Sequence, residues 1–339
     1  MPFARVLGQD KPKQIIAKAL KHNSVPHTYL FFGPESIGKK LAAIELAKAL
    51  NCRELESGDN CGHCDSCRKI DQRTHPDFIL LEPQKSTPLA RQAVIKIEAV
   101  RNLQKKLSFL PYEGKTKVAV IDGAESMTPE AASSFLKTLE EPPSSTVLIL
   151  ITSNPFLLLP TIVSRCQGVK FHPLSTGQVK EIICGIIEIE GIEIPPEELE
   201  PRAVRSMGGI NRALEEDVLE TGKLREELVN LIDKASFDQM DVVFQWSKTY
   251  ARQTERLPAL LDELMNLIRD LAVLKSESDP EYLYNRDLLK KLKPLSEKKS
   301  FPALLKIFDS VQGTRLALSA NANVQLSLET MLIRFCEAA

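Results

Sequence analysis

The chain has 339 residues, 43% hydrophobic, 26% charged and 6% aromatic, with a single tryptophan. That is long for one domain of about 100 to 200 residues and too apolar for a disordered chain, so two or three helix-rich globular domains are expected. Lys and Arg number 44 against 45 Asp and Glu, a formal net charge of -1. This excludes a protein whose whole surface tracks nucleic-acid phosphates, and any DNA contact must be local or made through partners.

The opening MPFARVLGQDKPKQ has no apolar targeting core, and no stretch reaches the roughly 18 to 20 apolar residues of a membrane span. A cytoplasmic chain without membrane contact is expected, in a compartment where thiols stay reduced. Short apolar runs at 28–32, 78–81, 118–121, 147–151 and 169–171 predict strands buried on both faces of a parallel sheet. Helical patterns at 39–50, 97–107 and 128–139 lie between them, the last opened by a Thr-Pro-Glu start signature. Strand and helix alternate as in an α/β sandwich, here over residues 1–172. Over 173–220 the strands stop. A helix at 175–190, a turn at Pro195-Pro196 and two short helices around Gly208-Gly209 predict a small helical domain. Residues 221–339 read as wholly helical, with Leu257, Leu260, Leu261, Leu264, Leu267, Ile268, Leu271 and Leu274 on one face.

The first apolar run passes directly into Gly33-Pro34-Glu35-Ser36-Ile37-Gly38-Lys39-Lys40 and then into a helix. Strand, glycine-rich loop, helix is the setting in which backbone N–H groups cradle phosphates, with Lys39 placed to reach the outer ones. The motif normally closes with Ser or Thr, whose hydroxyl ligates Mg²⁺; Lys40 stands there and cannot do so. Asp122, at the end of the third run, supplies the acidic partner. The next residue is Gly123 where hydrolases of this type commonly carry a glutamate that activates water, and Glu125 comes two residues later. General-base action alone is worth about 10²- to 10⁴-fold. Losing both elements predicts a chain that does not hydrolyse ATP and weighs against ATP binding.

Cys52, Cys61, Cys64 and Cys67 follow the spacing C-x8-C-x2-C-x2-C. Two residues between thiolates let a tight turn aim both at one tetrahedral ion, and four cysteines close the site, so a structural zinc ion is expected. An Fe–S cluster also takes four cysteines, but no redox partner motif accompanies these. His63 is a possible substitute ligand. Glu54, Glu56, Asp59 and Asp65 would repel phosphates, so the module reads as a scaffold or a protein contact. Cys166, Cys184 and Cys336 read as core thiols. Lys290, Lys291, Lys293, Lys298 and Lys299 read as a solvated helix end in preference to a DNA contact.

Several short motifs stand in a telling order: Val6-Leu7-Gly8-Gln9, His27, the phosphate loop, the cysteine module, His75-Pro76-Asp77, Arg101 with Leu103, Pro111-Tyr112-Glu113-Gly114-Lys115, the LKTLEEPP run at 136–143 and Ser164-Arg165-Cys166. Together they resemble the bacterial clamp-loader subunits of DNA polymerase III, an AAA+ family. The NANVQLSLE run at 321–329 is similar to the last helix of that family's collar. The resemblance implies a P-loop AAA+ α/β domain with a zinc module at 52–67, a helical lid and a C-terminal helical collar for oligomerisation. It implies a pentameric ring with gamma/tau motors and a delta subunit, which loads the beta sliding clamp on primer-template DNA. Lys40 and Gly123, with Asn211 where the motors have a sensor arginine, resemble the non-hydrolysing members that brace the ring. Gly33, Gly38, Lys39, Lys40, Asp122 and Asn154 are then a degenerate nucleotide site, with Asn154 where the family carries its sensor residue and open to two readings, a water-positioning residue or a cap. Arg165 corresponds to the arginine finger that acts in trans on the neighbour's ATP. A gamma/tau-type ATPase motor is the alternative, and a zinc-dependent DNA-binding adaptor is disfavoured by the charge balance.

Overall fold

A computed structural model of the chain describes residues 3, 5–54, 59–85, 93–192, 194–206, 208–215, 218–254, 256–276, 282–319 and 322–338. Glu56 of the cysteine segment and Asn321 of the C-terminal motif lie outside these residues. The strands are β1 (Thr28–Phe32), β2 (Phe78–Leu81), β3 (Gln84–Lys85), β4 (Ala93–Val94), β5 (Lys117–Asp122), β6 (Thr146–Thr152) and β7 (Gln167–Lys170). Five of them form one parallel sheet in the order β2-β5-β6-β1-β7, while β3 and β4 make a small antiparallel pair. The central strands are apolar on both faces because both faces are covered. Tyr29, Phe31, Val147, Ile149 and Ile151 enter one core; the alternating Leu30, Leu148 and Leu150 enter the other. Helices α1 (Asp10–Lys21) and α2 (Lys39–Asn51) cover the first face with Ile16, Ala43 and Leu46.

The 65–71 segment forms the short helix α3 (Asp65–Asp71). The second face is covered by α4 (Ile97–Leu107) and α5 (Pro129–Glu140), through Leu103, Leu107, Phe135 and Leu139. Thr128 caps α5 by accepting from Ala131 N at 3.3 Å, with Pro129 at the first helical position, as the sequence signature predicts. After α6 (Pro160–Val163) and β7, the helices α7 (Thr176–Glu190), α8 (Pro196–Arg205) and α9 (Ile210–Glu215) share a small core of Leu174, Val179, Ile183, Ala203 and Ala213. A capping box starts α7, in which Ser175 Oγ accepts from Gln178 N and Gln178 Oε1 accepts from Ser175 N. This helical segment is tied to the phosphate loop. Ile210 N donates to Ser36 O at 2.9 Å, and Gln9 Nε2 donates to Ile37 O at 3.1 Å and His172 O at 2.7 Å.

Contacts divide the chain into two compact units, Met1–Leu214 and Glu215–Ala339. The second is helical: α10 (Val218–Lys234), α11 (Met240–Tyr250), α12 (Leu257–Lys275), α13 (Leu289–Lys298), α14 (Phe301–Ser319) and α15 (Val324–Glu337). Seven of the eight apolar residues on the predicted face of α12 are buried and Leu274 is partly buried, packed against α14 and α15 residues such as Leu304, Ile307 and Leu332. In the basic stretch, Lys291 pairs with Glu226 at 2.7 Å and Lys298 with Asp233 at 2.8 Å, so those two charges are satisfied within the unit. Among the described residues no helix is long and apolar enough to cross a membrane.

Candidate functional site

The C-terminal ends of β1, β5 and β6 open on a cavity of ≈ 470 Å³ lined by residues including Ser36, Lys39, Lys40, Asp122, Glu125 and Asn211. This is where ligands bind in open parallel sheets. Gly33 has φ 143°, and a Cβ there would lie 2.4 Å from Phe171 O. Gly38, with φ 94°, opens α2. Only glycine holds these backbone positions without strain.

The two lysines act differently. Lys39 is buried and folds back onto the loop, donating to Gly33 O at 2.6 Å and to Pro34 O. Burial lowers its pKa, opposed by the charges of Glu35, Glu125 and Asp122. Lys40 turns the other way, with Nζ hydrogen-bonded to Glu82 Oε1 and 3.1 Å from Asp122 Oδ2. Burial alone would lower the Lys40 ammonium, but these two carboxylates outweigh it and raise it above the ordinary lysine value. Glu125, offset in sequence from the usual base position, lines the cavity, yet its Oε1 already accepts from Ser153 N at 2.9 Å and Ser153 Oγ at 2.7 Å. Asn154 is a cap. Its Oδ1 accepts from Phe156 N at 3.0 Å and opens the short turn Pro155–Leu157, while Thr152 and Ser153 line the cavity.

Arg165 follows α6. Its Nη1 donates to Thr161 O at 2.8 Å, and Nη2 lies 2.5 Å from Glu140 Oε1, the last residue of α5. The Ser-Arg-Cys and LEEPP motifs, read separately in sequence, thus meet through one surface ion pair. Cys166 turns inward, its Sγ donating to Ile162 O at 3.1 Å, and burial pushes its thiol up to about 12.

The four sulfurs of Cys52, Cys61, Cys64 and Cys67 lie within 4.8 Å of one another. Zn–S bonds of about 2.3 Å at tetrahedral angles place sulfurs about 3.8 Å apart, so the cluster fits such an ion. Three of the four are buried. Burial keeps the Cys52 and Cys67 thiols high; at Cys64 burial is outweighed by the N–H groups of Arg53 and Cys67, which bring it down to about 6. His63 is exposed, with Nδ1 against Cys61 O at 2.8 Å and Nε2 against Glu54 Oε2 at 2.9 Å, and a ring nitrogen, Cys61 Sγ and a Glu54 carboxylate oxygen lie within 4.8 Å of one another beside the four-sulfur cluster. The segment after Cys64 forms α3, which the sequence reading omitted. Asp71 at its end meets Lys48 at 2.6 Å and Arg5 at 3.0 Å; fully buried Lys48 also meets Glu45 at 3.0 Å, and Glu45 accepts from Asn60 Nδ2 at 2.8 Å. This network locks the module to the helix that carries the phosphate loop.

A second lock joins two motifs. The buried Asp77 carboxylate accepts from Tyr112 N at 2.7 Å, Glu113 N at 2.9 Å and Gly114 N at 2.8 Å. Buried His75 accepts from Asp77 N through Nδ1 at 3.1 Å, and Nε2 faces Glu113 Oε1 at 3.4 Å. Burial alone would raise the Asp77 carboxyl, but the three amides hold it below its ordinary value. Its contribution to stability is therefore complete above the ordinary carboxyl range and is lost as the pH falls through the folded value. Asp77→Ala leaves the three amides unpaired, and it is expected to cost about 3 to 5 kcal/mol and to flatten the acid limb of the stability profile. Urea unfolding between neutral and acid pH checks both effects.

A parallel sheet in this strand order, a glycine loop between β1 and α2, and an aspartate at the tip of β5 define a P-loop fold of the AAA+ type, with Lys40 at the close of the loop. The chain belongs to the DNA polymerase III delta-subunit family, matching the family described as "DNA polymerase III, delta subunit" over residues 8–175 and its C-terminal counterpart over 220–337. Within it, the chain is of the delta' kind. It is 28% identical to the delta' subunit of Bacillus subtilis over 97% of this chain and 96% of that one, and 29% identical to that of Pseudomonas aeruginosa over 91% of each. It is also 24% identical to the Bacillus subtilis tau subunit, over 99% of this chain and 62% of tau. The function is that of a delta'-type subunit in the clamp loader of DNA polymerase III.

Proposed function

We propose that the chain serves the clamp loader without hydrolysing ATP, bracing a ring with delta and gamma/tau and lending Arg165 in trans to the adjacent subunit's ATP site. What carries this reading is the contrast between the two sites. Lys40 and Gly123 stand at the positions that should supply the metal ligand and the base, while Arg165 is presented at the surface. The same two residues argue against a gamma/tau-type motor despite the likeness to tau. Residues 173–220 serve as the lid and 221–339 as the collar that holds the ring together. Cys52, Cys61, Cys64 and Cys67 hold a structural zinc ion, supported by their spacing and their mutual distances. The clamp and primer-template DNA are reached through the assembled complex, in the cytoplasm. Coexpression with delta and gamma/tau tests the reading. One assembly containing a single copy of this chain is expected by native mass spectrometry, and a chain that elutes alone while the others assemble would contradict it.

A further inference from the structure

The AAA+ fold implies a Mg²⁺–nucleotide complex at the phosphate loop, and the residues here do not fit the metal. We propose that Lys40 is a tethered cation standing where the divalent ion would stand, so that the cavity is closed to metal-bound nucleotide and a single substitution at this position reopens it. The inference rests on reading the cavity as an inactive nucleotide site.

Size does not close the site. The cavity of ≈ 470 Å³ falls within the range of about 300 to 1,000 Å³ that small-molecule ligands occupy. The backbone does not close it either, since Gly33 and Gly38 keep the positive φ values that let a loop of this kind turn its N–H groups inward. Charge is what differs. In a working site of this class the loop hydroxyl and the strand-end aspartate share the metal ion. Here Asp122 is 3.1 Å from the Lys40 ammonium, and Glu82, from the loop that follows β2, holds the same nitrogen by a hydrogen bond. One ammonium between two carboxylates joins three elements, α2, β5 and the loop after β2, that a bound metal would otherwise join. An ammonium has no lone pair to offer a metal, and a divalent ion arriving beside it meets like charge in a partly buried place. Without Lys40, Asp122 is freed to offer its carboxylate to a hard cation, while Glu82 keeps its ion pair with Arg73 at 3.2 Å.

Calorimetric titration of the full chain with ATP, in Mg²⁺ and in EDTA, tests the proposal. For the unaltered chain, Mg²⁺ should make no difference to the titration. For Lys40→Thr, which supplies the hydroxyl and removes the ammonium, ATP should bind about 10- to 100-fold more tightly in Mg²⁺ than in EDTA, in line with what metal sites lose when a supporting contact is removed. Tighter binding by the unaltered chain in Mg²⁺ than in EDTA would overturn the proposal. So would a Lys40→Thr chain with native circular dichroism that gains no Mg²⁺ dependence. If that variant does not fold, the unaltered chain decides alone. Ring ATPase plays no part in the readout, so failure here leaves the trans role of Arg165 standing, and failure of that role leaves this inference standing.

Discussion

Replacing Cys64 with Ser is expected to abolish stoichiometric zinc binding and to melt the chain from the cysteine module to the end of α3. Structural zinc binds folded modules with an apparent free energy of about 10 to 16 kcal/mol near neutral pH, as much as the whole stability of a typical domain. Cys64 is both a ligand candidate and the residue that opens α3. Helix α3 has only seven residues, too few to persist without tertiary support. The damage should not stop there. If α3 melts, Lys48 loses the partly exposed Asp71 and keeps the buried Glu45, so α2 loses one of the two carboxylates that hold its ammonium. Because Lys48 lies on α2, hydrogen exchange should rise across Lys39–Asn51 as well as across Asp65–Asp71. Chelation of the unaltered chain should give the same pattern, and a chelated chain with full protection in both helices would remove the zinc from the account.

Much of this architecture is legible in the sequence because it depends on local pattern. The central strands β1, β5 and β6 are short apolar runs since both faces are covered, and β1 is read to its last residue; the edge strand β7 (Gln167–Lys170) is exposed except at Val169, and it begins two residues before the expected 169–171 run and ends before Phe171. Strands β5 and β6 extend one residue beyond the reading at each end, where Lys117, Asp122, Thr146 and Thr152 break the apolar run but keep the ladder. Helix α1 escapes notice because it opens without a side-chain cap and buries only Pro12 and Ile16. Helix α3 is polar and shorter than two full periods, held by Cys67, Ile70 and Asp71, which no periodicity test detects.

The site divides in the same way. The phosphate loop and the cysteine spacing announce themselves, since both need particular residues at fixed intervals. Glu82 does not, because its partner Lys40 is 42 residues away and joins it only when β2 and β1 enter one sheet. Asp77 and the 112–114 amides are a similar case: two motifs visible separately whose contact is set by the fold. At Asn154 the residue type is compatible with two roles, and its cap geometry is set by where Phe156 N points, which residue type alone does not fix.

The second large effect concerns Arg165. Its side chain is held by Thr161 O and by Glu140, a pair that is partly open to solvent. Exposed pairs of this kind are worth about 0 to 1 kcal/mol, so the guanidinium can leave Glu140 for a phosphate at little cost. An arginine supplied to a γ-phosphate is worth about 10³ to 10⁵ in rate in related nucleotide hydrolases. Arg165→Ala should leave folding and ring assembly unchanged, because the lost contacts lie at the surface. The decisive measurement is steady-state phosphate release by a reconstituted ring, with clamp and primed DNA present, in which only the motor site next to this chain is competent. Turnover at that site is expected to fall about 10³-fold or more on Arg165→Ala. Unchanged turnover would contradict the claim that this chain acts through its neighbour's site.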